Sequence, residues 1–187
     1  MKSGIRREML KRRGMLGEPE WIEKSGVIQR KLMEQGFYKN ASGILLYCHF
    51  GREARTDLLI RDALNKGKRV CVPFNDWDAN TLIPSRIRSE KDIDYNKKIP
   101  QPFVPEKFPA EGIDAAVIPG VVFDIYGGRI GMGRGFFDRF LVKCGEKVLK
   151  VSIAFDFQVS EEKLPVDAWD RKVDIIITEK RVIKSTL

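Results

Sequence analysis

A glycine-rich segment between residues 118 and 141 concentrates groups that could bind phosphate. Its three alternating glycines are Gly131, Gly133 and Gly135. Glycine lets the backbone approach a ligand closely and turn its N–H groups toward it. Arg129 and Arg134, together with the amides at the start of a following helix, would supply positive charge to the same point. The segment therefore favours phosphate binding, and a tight structural turn is the alternative.

The spacing of these glycines excludes two common nucleotide motifs. Phe136 occupies the place where the dinucleotide fingerprint G-x-G-x-x-G requires its third glycine. No Lys-Ser or Lys-Thr pair follows, as a Walker sequence would require. The segment thus predicts a phosphate site of another kind.

Buried strands and amphipathic helices must position this loop. The five strands predicted from short apolar runs are Gly43 to Cys48, Arg69 to Pro73, Asp114 to Pro119, Val148 to Phe155 and Val173 to Thr178. Helical periodicity appears over Glu20 to Gln35 and Glu53 to Lys66, and again after the glycines, where Phe136, Phe137, Phe140 and Leu141 would form the buried face. Alternating strands and helices predict an α/β fold, a three-layer, Rossmann-like domain with a mostly parallel sheet flanked by helices.

One stretch interrupts this alternation. Residues 75–107 are rich in Asp, Asn, Lys, Ser and Pro, and their apolar pattern is broken. We expect a long insertion around residues 75–110, with a small hairpin and an extended loop that is either functional or simply solvated. At 187 residues and 43% apolar composition, we expect residues 1–187 to form a single domain.

Composition limits the classes of protein that fit. The net charge of +8 attracts phosphates, carboxylates and nucleic acids alike. Three cysteines, Cys48, Cys71 and Cys144, lack metal-binding or redox spacing, so free thiols are expected. No apolar run is long enough for a membrane helix, and the charged start from Met1 to Arg13 lacks the apolar stretch of a secretory signal. We therefore expect a cytoplasmic protein with no membrane partner.

The glycine-rich segment also resembles the signature of the 5-formyltetrahydrofolate cyclo-ligase family. That signature reads P-G-x-x-F-D-x-x-G-x-R-[LI]-G-x-G-x-G-[FY]-[FY]-D. Its fixed positions are met by Pro119, Gly120, Phe123, Asp124, Gly127, Arg129, Ile130, Gly131, Gly133, Gly135, Phe136, Phe137 and Asp138. The resemblance extends to Lys2 and Arg6, to Glu53 and Thr56, and to a late segment with Leu164, Pro165, Asp170, Thr178 and Glu179. Nearly the whole chain is covered.

This resemblance implies an activity and a cofactor set. Family members use ATP and Mg²⁺ to phosphorylate the formyl oxygen of 5-formyltetrahydrofolate, after which N10 attacks and 5,10-methenyltetrahydrofolate, ADP and phosphate are released. The resemblance implies that Lys2, Arg6 and Arg134 act in catalysis, with Lys2 and Arg6 on one helix face as a phosphate clamp. A solvated basic helix is the alternative for that pair.

The remaining roles follow by the same resemblance. The nucleotide would also contact Arg129, Ile130, Gly131, Met132, Gly133, Arg134, Gly135, Phe136 and Phe137. The folate would contact Cys48, Glu53, Met132, Gly133, Arg134, Gly135 and Phe136. Asp138 and Asp170 match the Mg²⁺ positions, and hard carboxylate ligands in small number suit that ion. From sequence alone, Glu53 could instead stabilise the start of a helix, and each aspartate could be a cap or surface charge.

Two departures and two rival functions remain open. Relatives often carry a tyrosine where this chain has Phe136 and Phe137, so only stacking on the pterin is expected there. His49, the sole histidine, is not expected to be the general base. A basic nucleic-acid-binding module and another small phosphate-handling α/β enzyme are the alternatives. The expected partners are 5-formyltetrahydrofolate and ATP, with no nucleic acid, and the expected state is a monomer.

Overall fold

The computed structural model describes residues 1–165 and 167–185. Within them the α-helices are α1 (Lys2–Gly14), α2 (Glu18–Met33), α3 (Gly36–Asn40), α4 (Asp57–Asn65) and α5 (Phe136–Cys144). The strands are β1 (Gly43–Leu46), β2 (Arg69–Asp76), β3 (Thr81–Ile87), β4 (Ile93–Asp94), β5 (Gln101–Pro102), β6 (Ala115–Val117), β7 (Val122–Asp124), β8 (Arg129–Ile130), β9 (Leu149–Ile153), β10 (Val159–Ser160), β11 (Ile175–Ile177) and β12 (Val182–Lys184). Short 3₁₀ helices cover Glu90–Asp92, Ala110–Gly112 and Asp156–Gln158.

A seven-stranded sheet forms the centre, in the order β12-β11-β9-β6-β1-β2-β3. The five inner strands are parallel to one another, and the two outer strands, β3 and β12, are antiparallel to their neighbours. The predicted α/β class with a mostly parallel sheet is therefore confirmed, and each of the five predicted strands is present with shorter bounds except β2, which is longer. The single-domain prediction for residues 1–187 stays a prediction, and Val166, Thr186 and Leu187 lie outside the described residues.

Helices cover both faces of this sheet because each has one apolar side. On one face, Ile28 and Leu32 of α2 and Leu59 of α4 are fully buried in one apolar cluster with residues of strands β1 and β2. On the other face, Phe140 and Leu141 of α5 are buried in a second apolar cluster with residues of β1, β3 and β6. Burying such side chains contributes about 1.5–3 kcal/mol each, which holds the three layers together. None of the helices in the described ranges is both long and apolar enough to cross a membrane.

The insertion differs from the prediction at its start. Residues 75 and 76 do not leave the sheet, because β2 runs on to Asp76 and turns into β3 as a long antiparallel hairpin. A smaller hairpin follows, formed by β4 and β5. The chain then returns along the outer side of β3, where Arg86 N donates to Glu106 O at 2.8 Å and Phe108 N donates to Pro84 O at 2.8 Å. The predicted small hairpin is thus confirmed as β4 and β5, and residues 103–109 form an irregular segment that is hydrogen-bonded to β3 at these points.

Two smaller units place the glycine-rich segment. Strands β7 and β8 pair as an antiparallel hairpin, and β10 runs parallel to β7. Helix α1 packs Ile5, Met9 and Leu10 against Val122 and Ile130 of that hairpin. The start of α1 is thereby held beside the glycines.

Candidate functional site

A cavity of about 720 Å³ opens at the carboxyl-terminal edge of the parallel strands. Its volume lies within the range of small-molecule sites, and this edge is where open α/β sheets bind ligands. Every residue predicted to take part in the site lines it: Lys2, Arg6, Cys48, Glu53, Arg129, Ile130, Gly131, Met132, Gly133, Arg134, Gly135, Phe136, Phe137, Asp138 and Asp170. Residues more than 160 positions apart in sequence are therefore brought to one place.

Helix α1 delivers two basic side chains to one side of the cavity. Lys2 Nζ donates to Asp167 Oδ2 at 2.6 Å and also contacts Asp170 Oδ2. Arg6 Nε donates to Gly131 O at 2.7 Å. The predicted helix is confirmed, and both cations reach the glycine-rich loop or the acids facing it. We call Lys2, Arg6, Arg129, Asp138 and Asp170 the charged flank.

The first part of the signature builds a turn. Asp124 is buried, and its Oδ1 accepts from Tyr126 N at 2.9 Å and Gly128 N at 2.7 Å, while its Oδ2 accepts from Leu164 N at 2.8 Å. A Cβ at Gly128 would lie 2.2 Å from Asp124 Oδ2, so the turn can close only around glycine. This aspartate shapes the β7–β8 hairpin and does not line the cavity.

The second part of the signature forms the open loop before α5. Gly133 and Gly135 have φ of +96° and +65°, which L side chains rarely adopt. Gly135 is also the residue that precedes the helix, so α5 points its free amides toward the cavity. A Cβ at Gly133 would lie 3.4 Å from the guanidinium carbon of Arg6, so the loop and α1 are in close contact. These features match the predicted phosphate-binding geometry.

Arg129 and Asp138 form a buried ion pair beneath this loop. Arg129 Nη2 donates to Asp138 Oδ1 at 2.6 Å, and its Nη1 donates to Pro119 O at 3.1 Å. The Arg129 side chain is 4% exposed, and its Nε has no hydrogen-bond partner among the described residues. Asp138 Oδ1 also accepts from Arg171 N at 3.1 Å. A buried charge is costly when its partner is removed, so replacing either Arg129 or Asp138 should disturb the other.

The carboxylates of the charged flank suit a divalent cation that is shared with phosphates. No cluster of three or more His, Cys, Asp or Glu side chains in residues 1–165 and 167–185 could hold a metal alone. Asp138 and Asp170 both line the cavity, and in each only one carboxylate oxygen bonds to other described residues. Mg²⁺ is often held by one or two carboxylates with waters and substrate phosphates. The donor set therefore fits Mg²⁺ with a bound nucleotide, although both aspartates are paired with cations here.

The ion pair with Lys2 changes the pKa of Asp170. Burial alone would raise its pKa, but the hydrogen bonds from Lys2 and from the Asp167 amide outweigh burial and lower the pKa. Lys2 behaves correspondingly: burial lowers its pKa, and the two carboxylates raise it by more. Opposite charges thus keep both groups ionised.

Cys48 and Glu53 form a second part of the site, which we call the buried floor. They follow strand β1 and are 6% and 5% exposed. Burial raises the pKa of the Cys48 thiol to about 12, so it stays neutral. Burial also raises the pKa of Glu53 to about 7, against an opposing effect of the Arg13 charge and the Phe50 amide.

The loop that carries Glu53 is fixed by hydrogen bonds at several points. Trp21 Nε1 donates to Glu53 O at 2.7 Å, and Phe50 N donates to Glu53 Oε2 at 3.2 Å. Tyr47 Oη donates to Ala54 O at 2.7 Å. Helix α4 begins at Asp57, so the prediction that Glu53 opens this helix is wrong. The hydrogen bonds of this loop hold residues 53–56 outside the helix, and Asp57 takes the first-turn position.

His49, the sole histidine, lies at the start of this loop and faces Thr56 and Trp21. His49 Nδ1 lies 3.4 Å from Thr56 Oγ1, and its ring lies 5.9 Å from that of Trp21. Burial lowers its pKa. His49 does not line the cavity.

Sequence reasoning missed the contribution of the insertion. Residues of the cavity wall that were not predicted are Tyr47, Phe50, Pro73, Asn75, Trp77, Lys97, Lys98, Ile99, Pro100, Gln101, Pro119, Gly120, Asp167 and Trp169. The ring of Trp77 meets Phe136 edge-on at 5.1 Å, and the Arg134 guanidinium lies 5.0 Å from its centroid. An isolated tryptophan within an otherwise polar segment was the available signal for this contact.

Three comparisons relate the chain to known proteins. Residues 1–179 match the model of the 5-formyltetrahydrofolate cyclo-ligase family. A mouse protein named 5-formyltetrahydrofolate cyclo-ligase is 28% identical over 95% of this chain and 93% of its own length. An Escherichia coli protein of the same name is 33% identical over 76% of this chain and 80% of its own. The chain is also similar to the solved Aquifex aeolicus 5,10-methenyltetrahydrofolate synthetase, with a TM-score of 0.86 and 34% identity over 98% of this chain and 92% of that one.

Proposed function

The chain belongs to the 5-formyltetrahydrofolate cyclo-ligase family, and from that premise we propose that it converts 5-formyltetrahydrofolate to 5,10-methenyltetrahydrofolate with ATP and Mg²⁺. One observation carries the proposal beyond the name. All fifteen residues that the family resemblance assigns to nucleotide, folate or metal line the same cavity. A rival phosphate-handling enzyme would not require Cys48 and Glu53 to meet the glycine-rich loop.

The proposed reaction has two steps. The formyl oxygen on N5 attacks the γ-phosphorus of ATP, the bond to the β-phosphate oxygen breaks, and ADP leaves. N10 then attacks the activated formyl carbon, inorganic phosphate departs with its oxygen, and N10 loses its proton as the ring closes. Phosphoryl transfer of this kind depends on positioning and charge neutralisation rather than on a covalent enzyme intermediate.

Under this proposal the charged flank receives the phosphates. Arg6 and Lys2 approach from α1, and the amides around Gly133 and Gly135 approach from the loop. The Arg134 guanidinium lies over Trp77 and would border both ligands. It can therefore stabilise the negative charge on the phosphoryl group during its transfer. Lys2 must leave Asp170 to reach a phosphate, and that exchange frees the carboxylate.

Asp138 and Asp170 would hold Mg²⁺ in this arrangement. When bound, the ion neutralises charge on the phosphate oxygens during transfer. Arg129 keeps Asp138 in place through the 2.6 Å ion pair. The role of Arg129 is therefore to orient the acid and the loop as well as to line the nucleotide.

The buried floor would receive the pterin. Glu53 presents a carboxyl group that can accept a hydrogen bond from a ring nitrogen, and Cys48 adds a neutral wall. Phe136 and Phe137 line the same cavity, and stacking of an aromatic ring on the pterin requires no hydroxyl group. A cytoplasmic, monomeric enzyme without a nucleic-acid partner remains our expectation for its setting.

A spectrophotometric assay tests the proposal directly. Purified protein is mixed with 5-formyltetrahydrofolate, and methenyl product is followed with and without ATP and Mg²⁺. We expect product only when nucleotide and metal are both present, with one ADP formed per turnover. Product at the same rate without ATP would remove the ligase assignment. Tight, steeply salt-dependent binding to arbitrary DNA without turnover would favour the nucleic-acid alternative.

A further inference from the structure

The small β4–β5 hairpin brings two lysines to the cavity. Lys97 and Lys98 lie in its turn, between Asp94 and Gln101, and both line the cavity. Both side chains are exposed at the rim. The hairpin was not assigned any part in the site by the sequence.

Buried neighbours fix the hairpin in place. Ile93 is 3% exposed and belongs to the same apolar cluster as Cys48. Gln101 is buried and its Oε1 accepts from Asn75 N of β2 at 3.4 Å. Pro100 and Pro102, both buried, restrict the backbone beside the lysines. Lys97 and Lys98 are therefore presented from an anchored element.

The two lysines stand on the side of the cavity away from α1. The hairpin lies along β2, whereas α1 packs on the β7–β8 hairpin. Strand β1, from which the buried floor extends, lies between β2 and β6 in the sheet. A ligand that occupies the floor can thus reach the charged flank at one end and Lys97 and Lys98 at the other.

The two ends differ in how their cations are engaged. On the charged flank, Lys2 and Arg129 are paired with carboxylates and Arg6 is bound to a carbonyl. Among residues 1–165 and 167–185, Lys97 and Lys98 form neither a salt bridge nor a side-chain hydrogen bond. Two unpaired cations at a cavity rim raise the local concentration of anions. This end is ready for a negatively charged group from a ligand.

We propose that Lys97 and Lys98 bind the carboxylates of the glutamate end of the folate and so determine specificity for a carboxylate-bearing pterin. This inference rests on the proposed function, which places the pterin on the buried floor and the phosphates at the charged flank. The glutamate is the anionic part of the substrate remote from the reacting N5 and N10. Binding there holds the substrate without touching the reacting atoms, so it acts on KM.

The test removes the lysines and, separately, the carboxylates. Steady-state kinetics at low salt are measured for the wild type, for Lys97→Ala/Lys98→Ala, and for Lys39→Ala/Lys147→Ala. The last variant has the same charge change at exposed residues outside the cavity. Each protein is given 5-formyltetrahydrofolate and 5-formyltetrahydropteroyl amide, which lacks the glutamate and carries no carboxylate.

We expect the Lys97→Ala/Lys98→Ala variant to raise KM for the folate roughly threefold to tenfold, the range for two exposed ion pairs. Its kcat, its KM for ATP and its KM for the pteroyl amide should match those of the wild type. The control variant should be unchanged, Lys97→Arg/Lys98→Arg should restore KM, and added salt should reduce the difference between proteins.

Three results would overturn the inference. An unchanged KM for the folate would make the lysines surface charges, and an equal change with the pteroyl amide would make them part of the pterin site. A rise in KM for ATP alone would indicate that the two lysines bind the phosphates of ATP. The proposed function itself would be contradicted by a different result, in which the wild-type protein forms no methenyl product from either substrate.

Discussion

The charged flank and the buried floor hold ionisable groups in the same cavity by opposite means. On the charged flank, Asp170 is kept ionised by Lys2, and Asp138 is paired with Arg129. On the buried floor, Glu53 has lost water without gaining a salt bridge to any residue in 1–165 or 167–185, and burial raises its pKa to about 7. Pairing makes a group insensitive to pH but dependent on its partner, whereas desolvation makes it sensitive to pH. We therefore expect substitutions in the charged flank and in the buried floor to have different effects.

The largest effect is expected from Asp138→Asn, which attacks the charged flank at its metal position. Asn keeps an oxygen that can accept from Arg129 and Arg171, but it removes the negative charge. We expect kcat to fall about 100-fold or more and the requirement for Mg²⁺ to rise. Titration of activity with Mg²⁺ measures both.

A matched control for this change lies outside the cavity. Asp156 is also paired with an arginine, Arg181 at 3.0 Å, but it does not line the site. Asp156→Asn should leave kcat and the Mg²⁺ requirement unchanged. A folded Asp138→Asn protein with the kinetics of the wild type would break the comparison, because its charge would then be unnecessary.

Glu53→Gln tests the buried floor. Because its folded pKa is raised, Glu53 contributes stability that is complete below its unfolded pKa and is lost as pH rises through about 7. Gln does not titrate. We therefore expect the free energy of unfolding of the variant to rise relative to that of the wild type by about 1–3 kcal/mol between pH 5 and pH 8. Denaturant unfolding at both pH values measures it.

The same variant should separate the two ligands. KM for the folate should rise while KM for ATP stays constant, because the lost carboxylate lies on the buried floor. Asp57→Asn provides the contrast in stability: burial raises the Asp57 pKa, but Arg55 outweighs it and the net pKa is lowered. That variant should be less stable than the wild type at pH 8. Equal losses of stability and activity in Glu53→Gln would mean a structural role alone.

Arg6→Ala sharpens the comparison from the helical side of the charged flank. Losing a charge-assisted contact to phosphate should raise KM for ATP about tenfold and affect KM for the folate less. Arg7 is the adjacent, exposed arginine of α1, so Arg7→Ala controls for charge and helix propensity. If KM for ATP is unchanged in Arg6→Ala, Lys2 and Arg6 are better interpreted as charges on a solvated helix face.

The smallest effect is expected where the β2–β3 hairpin is fastened to α5. Arg139 Nε donates to Asn80 O at 3.0 Å, and its Nη2 donates to Asn80 Oδ1 at 3.1 Å and to Arg134 O at 2.9 Å. Arg139→Ala should destabilise by about 0.5–1 kcal/mol and speed hydrogen exchange of amides 77–81, since these bonds are exposed. Lys147→Ala should do neither. Unchanged exchange in the Arg139 variant would show that the hairpin does not depend on this link.

The parallel strands and the glycine loop could be predicted because their signals are local. Gly43–Leu46 and Ile175–Ile177 are apolar runs that only burial explains, and the alternating glycines are contiguous in sequence. The outer strands could not be found in this way. β3 includes Pro84 and polar residues, and β12 ends in Lys184 and has no fully buried residue, so neither has the composition of an inner strand.

The wall built by the insertion was missed for a different reason. Trp77, Lys97 and Lys98 reach the cavity because Asn75, Ile93 and Gln101 anchor their hairpins, and these contacts follow no sequence period. The role of Asp124 was also hidden, since a signature aspartate can bind a ligand or close a turn. Its three amide partners, on Tyr126, Gly128 and Leu164, decide for the turn.

The return of the insertion along β3 affects how separate molecules behave toward each other. A bare outer strand offers unpaired N–H and C=O groups, and strands of other chains can join it and start aggregation. Here residues 106–108 occupy that side of β3 through Arg86 N and Pro84 O. Those groups are no longer free to recruit another chain. The insertion that supplies part of the cavity wall thus also caps the sheet, and opening its pairing with β3 would expose those groups to another chain.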